Sequence, residues 1–301
     1  MKKPTVTIAV CAYNESRNIL PFLSSVLSQT AEGFTITKIL VISDGSTDDT
    51  EAQVNSLHQK KIIVKAHKAR KGKSLRLNEI YQHLDTDFLI QSDADVVFSH
   101  RQVVRDLVLV LVSQPHVGMC GGNPLPMPAQ TFVETAVNST VAAYVQLRSK
   151  VRSGNNPFSA DGRLLAFRKE FVSKIRIPHD MIANDRFCYY ACKQNGWEYR
   201  FVKTAVVSFR SPQTFRDQLR QNTRFVAAPR RMQRYFPKEL ISREEAIPVH
   251  LQVGVILEQF VAHPVGLIMI LIINRYCQLK AMVTEHKLTA QWDIATSTKH
   301  V

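Results

Sequence analysis

Acidic residues are scarce in one part of this 301-residue chain. Between Arg148 and Arg234 there are 19 Lys and Arg against 6 Asp and Glu, so +13 of the formal net charge of +14 falls there. Such a shortage of carboxylates points to an anionic partner (nucleic acid, a membrane surface or a phosphorylated substrate) or to a solvated basic face. Cysteine is also sparse. The five residues, at 11, 120, 188, 192 and 277, are odd in number and scattered. They suggest no disulfide framework and fit a reducing compartment. Cys188 and Cys192 are one helical turn apart without a second ligand pair, which reads as structural rather than as a zinc site. The clean apolar run Val265 to Ile273 has nine residues, well short of the ~20 of a spanning helix. The N-terminal stretch MKKPTVTIAVCAYNES has too short an apolar run for a signal peptide and reads as a first strand.

Glycine is missing where two phosphate-binding loops would need it. The turn after the first strand, CAYNES, has none, which argues against a Rossmann dinucleotide site. RKGKS ends like a P-loop, but the position five residues before Gly72 is His67. Without glycine there the backbone cannot wrap a phosphate. Lys73 can still meet one as a point charge. Internal repeats and low-complexity linkers are absent as well.

What is present is alternation. TVTIAVCA, TKILVIS, KIIVKA, DFLIQS and VGMCGG read as buried strands. The helical patterns between them are ESRNILPFLSSVLSQ, TDDTEAQVNSLHQ, GKSLRLNEIYQHL and HRQVVRDLVLVLVSQ. This pattern predicts a mostly parallel sheet with helices on both faces, and ligands at the carboxyl ends of its strands. Tyr13-Asn14-Glu15, Ser43-Asp44-Gly45 and Asp93-Ala94-Asp95 lie at those ends. Beyond residue 122, DGRLLAFRK and EYRFVKTAVVSF read as strands, and NDRFCYYACKQNG as a helix closed by Gly196. SPQTFRDQLRQNTRFVAAPRRMQRYF reads as a basic helix interrupted at Pro229.

Strand alternation would turn Asp93 and Asp95 to one side. Two adjacent carboxylates repel, and a divalent cation such as Mg²⁺ or Mn²⁺, shared with a diphosphate, relieves the repulsion. A solvated strand end is the competing reading of the same residues.

The ordered set VTIAVCAYNESRNI, VISDGSTDDT, RKGKSLRLNEI and QSDADVVF resembles the nucleotide-binding half of the family-two inverting glycosyltransferases. SADGRLLAFRKE, IANDRFCYYACKQNGWEYRFV and QLRQNTRF resemble the acceptor-side motifs of its membrane-associated branch, which includes the cellulose, chitin and hyaluronan synthases. The likeness spans about residues 4–235. It implies a GT-A-type, Rossmann-like α/β fold with a nucleotide-sugar half (1–122) and an acceptor half (123–240). It implies a nucleotide-diphosphate sugar donor, with UDP as the expected nucleotide. Tyr13 and Glu15 would border the nucleotide, Asp44 would contact the base or ribose, and Lys73 would lie near it. Asp93 and Asp95 would hold Mg²⁺ or Mn²⁺ and the diphosphate. Asp185 would be the catalytic base. Gln221 and Arg224 would serve the diphosphate and the acceptor end. Read without the family, Asp185 suits an ordinary helix cap, and Gln221 and Arg224 suit a solvated helix face. Two departures from the pattern stand out: Asn184 replaces the first residue of an acidic pair, and Phe225 replaces a tryptophan.

Residues 246–277 form a strongly apolar stretch interrupted by Glu258, His263 and Pro264. Buried core helices would account for it. The reading preferred here is a helical hairpin lying on or dipping into a membrane, broken near His263-Pro264. AQWDIATSTKH resembles the cytosolic tail of membrane-bound family members, so 278–301 is expected to be a cytosolic tail. The expectation is therefore a metal-dependent transferase at the cytosolic membrane face. It would act on a lipid-linked or saccharide acceptor, with no nucleic-acid partner. Weaker alternatives are an inactive nucleotide-sugar binder, a sugar-1-phosphate nucleotidylyltransferase and a basic nucleic-acid-binding protein. An N-acetylhexosaminyl or hexosyl group would be transferred, singly or processively.

Overall fold

A computed structural model of the protein describes residues 2–262, 264–289, 291 and 298. In chain order the main elements begin with β1 (Thr5–Ala12), α1 (Ile19–Leu27), β2 (Thr35–Asp44), α2 (Thr50–Ser56) and β3 (Ile62–His67). Next come α3 (Lys73–Gln82), β4 (Phe88–Asp93), β5 (Val96–Phe98), α4 (Val103–Ser113) and β6 (Val117–Pro126). The second half holds α5 (Phe132–Lys150), β7 (Leu164–Arg168), α6 (Lys169–Val172), α7 (Asn184–Gln194) and β8 (Glu198–Phe209). It closes with α8 (Phe215–Met232), α9 (Lys238–Glu245), α10 (Val249–Ala262) and α11 (Pro264–Thr284).

The strands form one sheet in the order β3-β2-β1-β4-β7-β6-β8-β5. The first four pair in parallel, and β6 pairs in parallel with β8. β7 runs antiparallel to both β4 and β6, and β5 antiparallel to β8. The sheet is therefore mixed, with six strands running one way, as expected of a mostly parallel sheet, and β7 and β5 running the other. β7 is entered from the edge where β4 ends, so it must run back against its neighbours.

Each face of the sheet carries its own core. One packs Phe22, Leu23, Leu107 and Leu111 of α1 and α4 over Ile8, Ile90 and Val207. The other packs Tyr81, Cys188, Tyr189 and Cys192 of α3 and α7 over Leu89, Leu165 and Phe167. Residues 188 and 192 thus belong to the buried stripe of α7, whose end is turned by Gly196 at φ +76°.

Two expectations change. α5, 19 residues long, was not read from the sequence. Its N-cap Thr131 accepts a hydrogen bond from the Glu134 amide (3.1 Å). α8 is not interrupted at Pro229 but runs through it to Met232. The proline falls in the last turn, where the single carbonyl it orphans, that of Phe225, belongs to an exposed residue. The apolar stretch does form two helices on either side of residue 263, and they also pack on the rest of the chain. α11 packs on α5 and α8. Ala281 lies against Ala227 and Ile182. Arg231, only 1 % exposed, is held by the Glu285 side chain, the Glu285 carbonyl (2.8 Å) and the Asp180 backbone.

The outer side of the hairpin is apolar. Val249, Val253, Ile256, Leu257, Phe260 and Val261 on α10 are exposed, as are Leu271, Ile272, Leu279 and Val283 on α11. Among the described residues no helix is long and apolar enough to cross a membrane. The tail motif around residues 290–300 lies almost wholly outside the described residues.

Candidate active site at the strand ends

The loops after β1 and β2 are stitched together without glycine in the first. Asn14 takes the left-handed conformation itself (φ 53°), which asparagine tolerates better than most residues. Its side-chain oxygen accepts from the Thr47 amide (2.8 Å), and its own amide donates to Ser46 Oγ (3.1 Å). The Glu15 amide donates to Thr50 Oγ1 (2.8 Å), and the Glu15 carboxylate accepts from Asn18 Nδ2 (2.9 Å). Tyr13 lies under the Arg70 guanidinium, 4.1 Å from ring centroid to Cζ. Tyr13 and Glu15 are thus placed at the strand-end cleft, with Glu15 also anchoring the start of α1.

Asp44 proves to be a structural keystone of the neighbouring loop. It is buried, and its two oxygens accept from the Lys71 amide (2.9 Å), the Gly72 amide (2.8 Å) and Arg76 Nε (2.6 Å). This folds the 68–72 loop back over Gly45. A Cβ at Gly45 would stand 2.6 Å from the Arg70 nitrogen, so only glycine fits this approach. The expected contact of Asp44 with a base or ribose would have to be shared with these bonds.

Asp93 and Asp95 are related differently from the expectation. β4 ends at Asp93, and residues 94 and 95 form a bend before β5. The turn, not strand alternation, brings the two carboxylates to one edge. Both are half-buried. Lys73, the first residue of α3, places its ammonium on Asp93 Oδ1. Burial disfavours that charge, but Asp93 outweighs it and holds the Lys73 pKa above its ordinary value.

The antiparallel entry of β7 carries the acceptor half to the same place. Ser92 Oγ donates to the Arg163 carbonyl (2.7 Å) beside the Ser92–Leu164 pair. Asp185, at the start of α7, accepts from the Gly162 amide (3.2 Å) and the Arg186 amide (2.8 Å). Gly162 marks the meeting point. A Cβ built there would lie 3.6 Å from Lys73 Nζ, 3.8 Å from Asp93 Oδ2 and 3.9 Å from Asp185 Cβ. Residues 92 positions apart in sequence thus flank one gap.

Sequence reasoning missed Asp161 and Arg163. Arg163 binds Asp161 (3.1 Å), stacks 3.8 Å over the Phe209 ring and lies in the field of Asp95 and Asp93. Burial would raise the Asp161 pKa, but Arg163 and Arg148 outweigh it and hold the carboxyl below its usual range. Asp185 goes the other way: burial, then the Asp161 charge, pushes it up. An acid, a glycine and a base in succession, Asp161-Gly162-Arg163 just before a strand, were the available signal.

On α8, Gln221 and Arg224 are half-buried and share a face at i, i+3. Burial pulls the Arg224 pKa down, while Asp185 and then Asp93 oppose it. Arg224 is therefore electrostatically tied to both carboxylates of the gap. Phe225 is 42 % exposed beside it. Asn184 is buried and accepts from Ser74 Oγ (2.9 Å), which links α7 to α3.

Among the described residues no group of three or more His, Cys, Asp or Glu could hold a metal alone. The two carboxylates of Asp93 and Asp95 fit a hard divalent cation only where substrate oxygens and water complete its shell, which is the usual habit of Mg²⁺.

Solved structures share this architecture. The mannosyltransferase PcManGT of Pyrobaculum calidifontis, in complex with GDP-Man and Mn²⁺, superposes with a TM-score of 0.61 at 18% identity, over 97% of this chain and 77% of the other. The glucosyl-3-phosphoglycerate synthase of Mycobacterium tuberculosis, in complex with Mn²⁺, UDP and phosphoglyceric acid, gives 0.53 at 16% identity, over 75% of this chain and 78% of the other. At such identities the likeness concerns the fold. Among curated sequences, the probable glycosyltransferase YdaM of Bacillus subtilis (strain 168) is 25% identical over 230 residues, 74% of this chain and 54% of that protein. An uncharacterized glycosyltransferase of Haemophilus influenzae is 29% identical over 120 residues, 39% of this chain and 36% of that protein. The matched regions thus span about half or less of those relatives. Residues 7–176 match glycosyl transferase family 2, which is more than half of the chain and takes in β1 through the Asp161-Gly162-Arg163 turn. The chain belongs to glycosyl transferase family 2.

Proposed function

We propose that the protein transfers a sugar, with inversion, from a nucleotide-diphosphate sugar to an acceptor hydroxyl. The observation that carries this reading is the gap at Gly162, bounded by Asp93 and Lys73 on one side and Asp185 on the other. Inverting transfer needs a base on the face opposite the leaving group. The acceptor oxygen attacks the anomeric carbon while Asp185 takes its proton. The bond from the anomeric carbon to the diphosphate breaks, and the nucleoside diphosphate leaves with the electron pair. A raised Asp185 pKa makes the carboxylate a better proton acceptor for this step. Lys73 and Arg224 supply positive charge to the leaving group. A divalent cation held by Asp93 and Asp95 would screen the same diphosphate. The Mn²⁺-bound neighbours are consistent with Mg²⁺ or Mn²⁺ in this role. Tyr13, under Arg70, and Glu15 would border the nucleotide, with Asp44 shaping its loop. UDP is the favoured donor nucleotide, from the resemblance of the motifs. The GDP-Man complex of PcManGT makes GDP the competitor to test.

The acceptor is proposed to be presented at a lipid surface on the cytosolic side. The exposed apolar residues of α10 and α11 support this, and the exposed Arg275 and Lys280 on α11 would suit anionic headgroups. A lipid-linked sugar is then the favoured acceptor, and a place in the membrane-associated branch, proposed from the resemblance of the acceptor-side motifs, would suit the same surface. Thermal unfolding in a panel of UDP- and GDP-sugars, with and without Mn²⁺, tests the donor reading. One sugar nucleotide should protect in a Mn²⁺-dependent way, and NMR of the product should show an inverted anomeric centre. Absence of protection by every member, or a retained configuration, would refute it.

A further inference from the structure

The Lys73 ammonium occupies one of the two oxygens that Asp93 could offer a divalent cation. It sits on Asp93 Oδ1, and Asp93 has only one other carboxylate oxygen. We propose that Lys73 acts as an internal counter-ion which holds Asp93 until a diphosphate draws it off, making metal uptake depend on the nucleotide. The proposal rests on the sugar-transfer reading for the identity of the diphosphate.

Three observations build it. Lys73 stands at the first position of α3, after Gly72 at φ 96°. Its backbone is therefore fixed, while the four-carbon stem can swing. Gly162 faces the ammonium without crowding it: even a Cβ there would come no closer to Lys73 Nζ than 3.6 Å, an ordinary van der Waals contact. Finally, the surroundings of the ammonium are acidic. Asp93 and Asp185 both favour its charge, so it leaves Asp93 only for a partner of comparable negative charge. A nucleotide diphosphate is such a partner, and a lone metal ion is not.

The consequence is thermodynamic. Without nucleotide, a metal must compete with a tethered cation for Asp93. With a diphosphate in place, Lys73 moves to the phosphate oxygens and Asp93 is released. Metal and nucleotide therefore raise each other's affinity, as linkage requires. A Lys73 that leaves Asp93 also moves away from Gly162, in the gap on which the sugar-transfer reading rests.

The test is the affinity for Mn²⁺, measured by calorimetry or by electron paramagnetic resonance on the full chain, with no nucleotide and then with UDP or GDP. Without nucleotide, Lys73→Met should bind Mn²⁺ about 10-fold more tightly than wild type, within the usual range of coupling between sites. Lys73→Arg, which keeps the charge, should stay near wild type. The gain in Mn²⁺ affinity on adding nucleotide should be smaller in Lys73→Met than in wild type. Lys73→Gln provides a second neutral variant if Lys73→Met does not fold. Nucleotide-free Mn²⁺ affinity in the neutral variants equal to or below wild type would overturn the proposal. Failure of both UDP and GDP to bind wild type would instead sink the sugar-transfer reading, while the nucleotide-free comparison would still decide the role of Lys73.

Discussion

The two halves of the molecule build their functional groups in different ways. In the donor half, each group hangs on a strand end and is fixed by bonds to residues 20–35 positions away. Asn14 and Glu15 are tied to residues 46–50, Asp44 to residues 71–76, and Asp93 to the lysine that starts α3. In the acceptor half, Asp185 and Arg224 ride on helices whose positions depend on distant ion pairs. α8 is clamped to the C-terminal segment through Arg231 and Glu285, 54 residues apart. α9 ends in Glu244 and Glu245, which bind Tyr189 (2.7 Å) and Tyr190 (2.9 Å) of α7. The donor loops are thus bonded to one another directly, whereas α7 and α8 are held through elements that follow them in the chain. The family match crosses this division: it covers the donor half and runs into the acceptor half as far as residue 176, ending before α7 and α8.

The comparison breaks most sharply at the base. Asp185→Asn should leave donor affinity close to wild type and lower turnover by roughly 10²–10⁴, the effect of losing a general base. Unchanged turnover would reduce Asp185 to a helix-terminal residue. The same substitution should also raise the unfolding midpoint near neutral pH. The folded-state pKa of Asp185 is raised, so its ionisation costs stability as pH climbs through that pKa, and the amide avoids the cost.

The clamp comes next in size. Glu285→Ala leaves the buried Arg231 without its main counter-charge, and breaking a buried pair costs about 3–5 kcal/mol. Urea unfolding should show that loss. It also means that removing everything after Arg243 would unsettle α8 rather than simply detach a membrane anchor. A cleaner probe of the lipid reading is Ile256→Asp with Leu257→Asp and Phe260→Asp. This variant should fold, bind donor and fail to float with anionic liposomes at high salt, while wild type floats. Wild type that never floats would end that reading and leave sugar transfer intact.

The smallest expected effect is a titration. Asp161 raises the Asp185 pKa through its charge, and the base works only when ionised. Asp161→Asn should therefore move the acid limb of kcat/KM to lower pH. A limb that stays put would show that Asp161 does not face the base electrostatically.

Much of the donor half was legible because its signals are local. Apolar β-branched runs marked β1, β2 and β4, and the polar residues that follow them mark the cleft. What escaped was non-local or conformational. The bend at residues 94–95 depends on where the β4 ladder stops, which alternation cannot reveal. The inward role of Asp44 depends on Arg76, a residue on the next-but-one helix. The Arg231–Glu285 pair joins segments that share no pattern, so the way α11 docks on α8 could not be read. α5 mixes small, polar and apolar residues on all sides, and its weak amphipathic pattern hid it. The order of motifs carried the family where each motif alone, Asp93-Ala94-Asp95 included, was ambiguous.

The most direct measurement is nucleotide binding by Asp95→Asn in the presence and absence of Mn²⁺. Wild type at ~100 times the dissociation constant of its nucleotide should gain about 2.7 kcal/mol of stability when Mn²⁺ is present. Asp95→Asn should fold as well as wild type, because one of two repelling carboxylates is gone, and should show no Mn²⁺-dependent gain. Equal Mn²⁺-dependent protection in the two proteins would contradict the assignment of Asp93 and Asp95 to the metal and diphosphate.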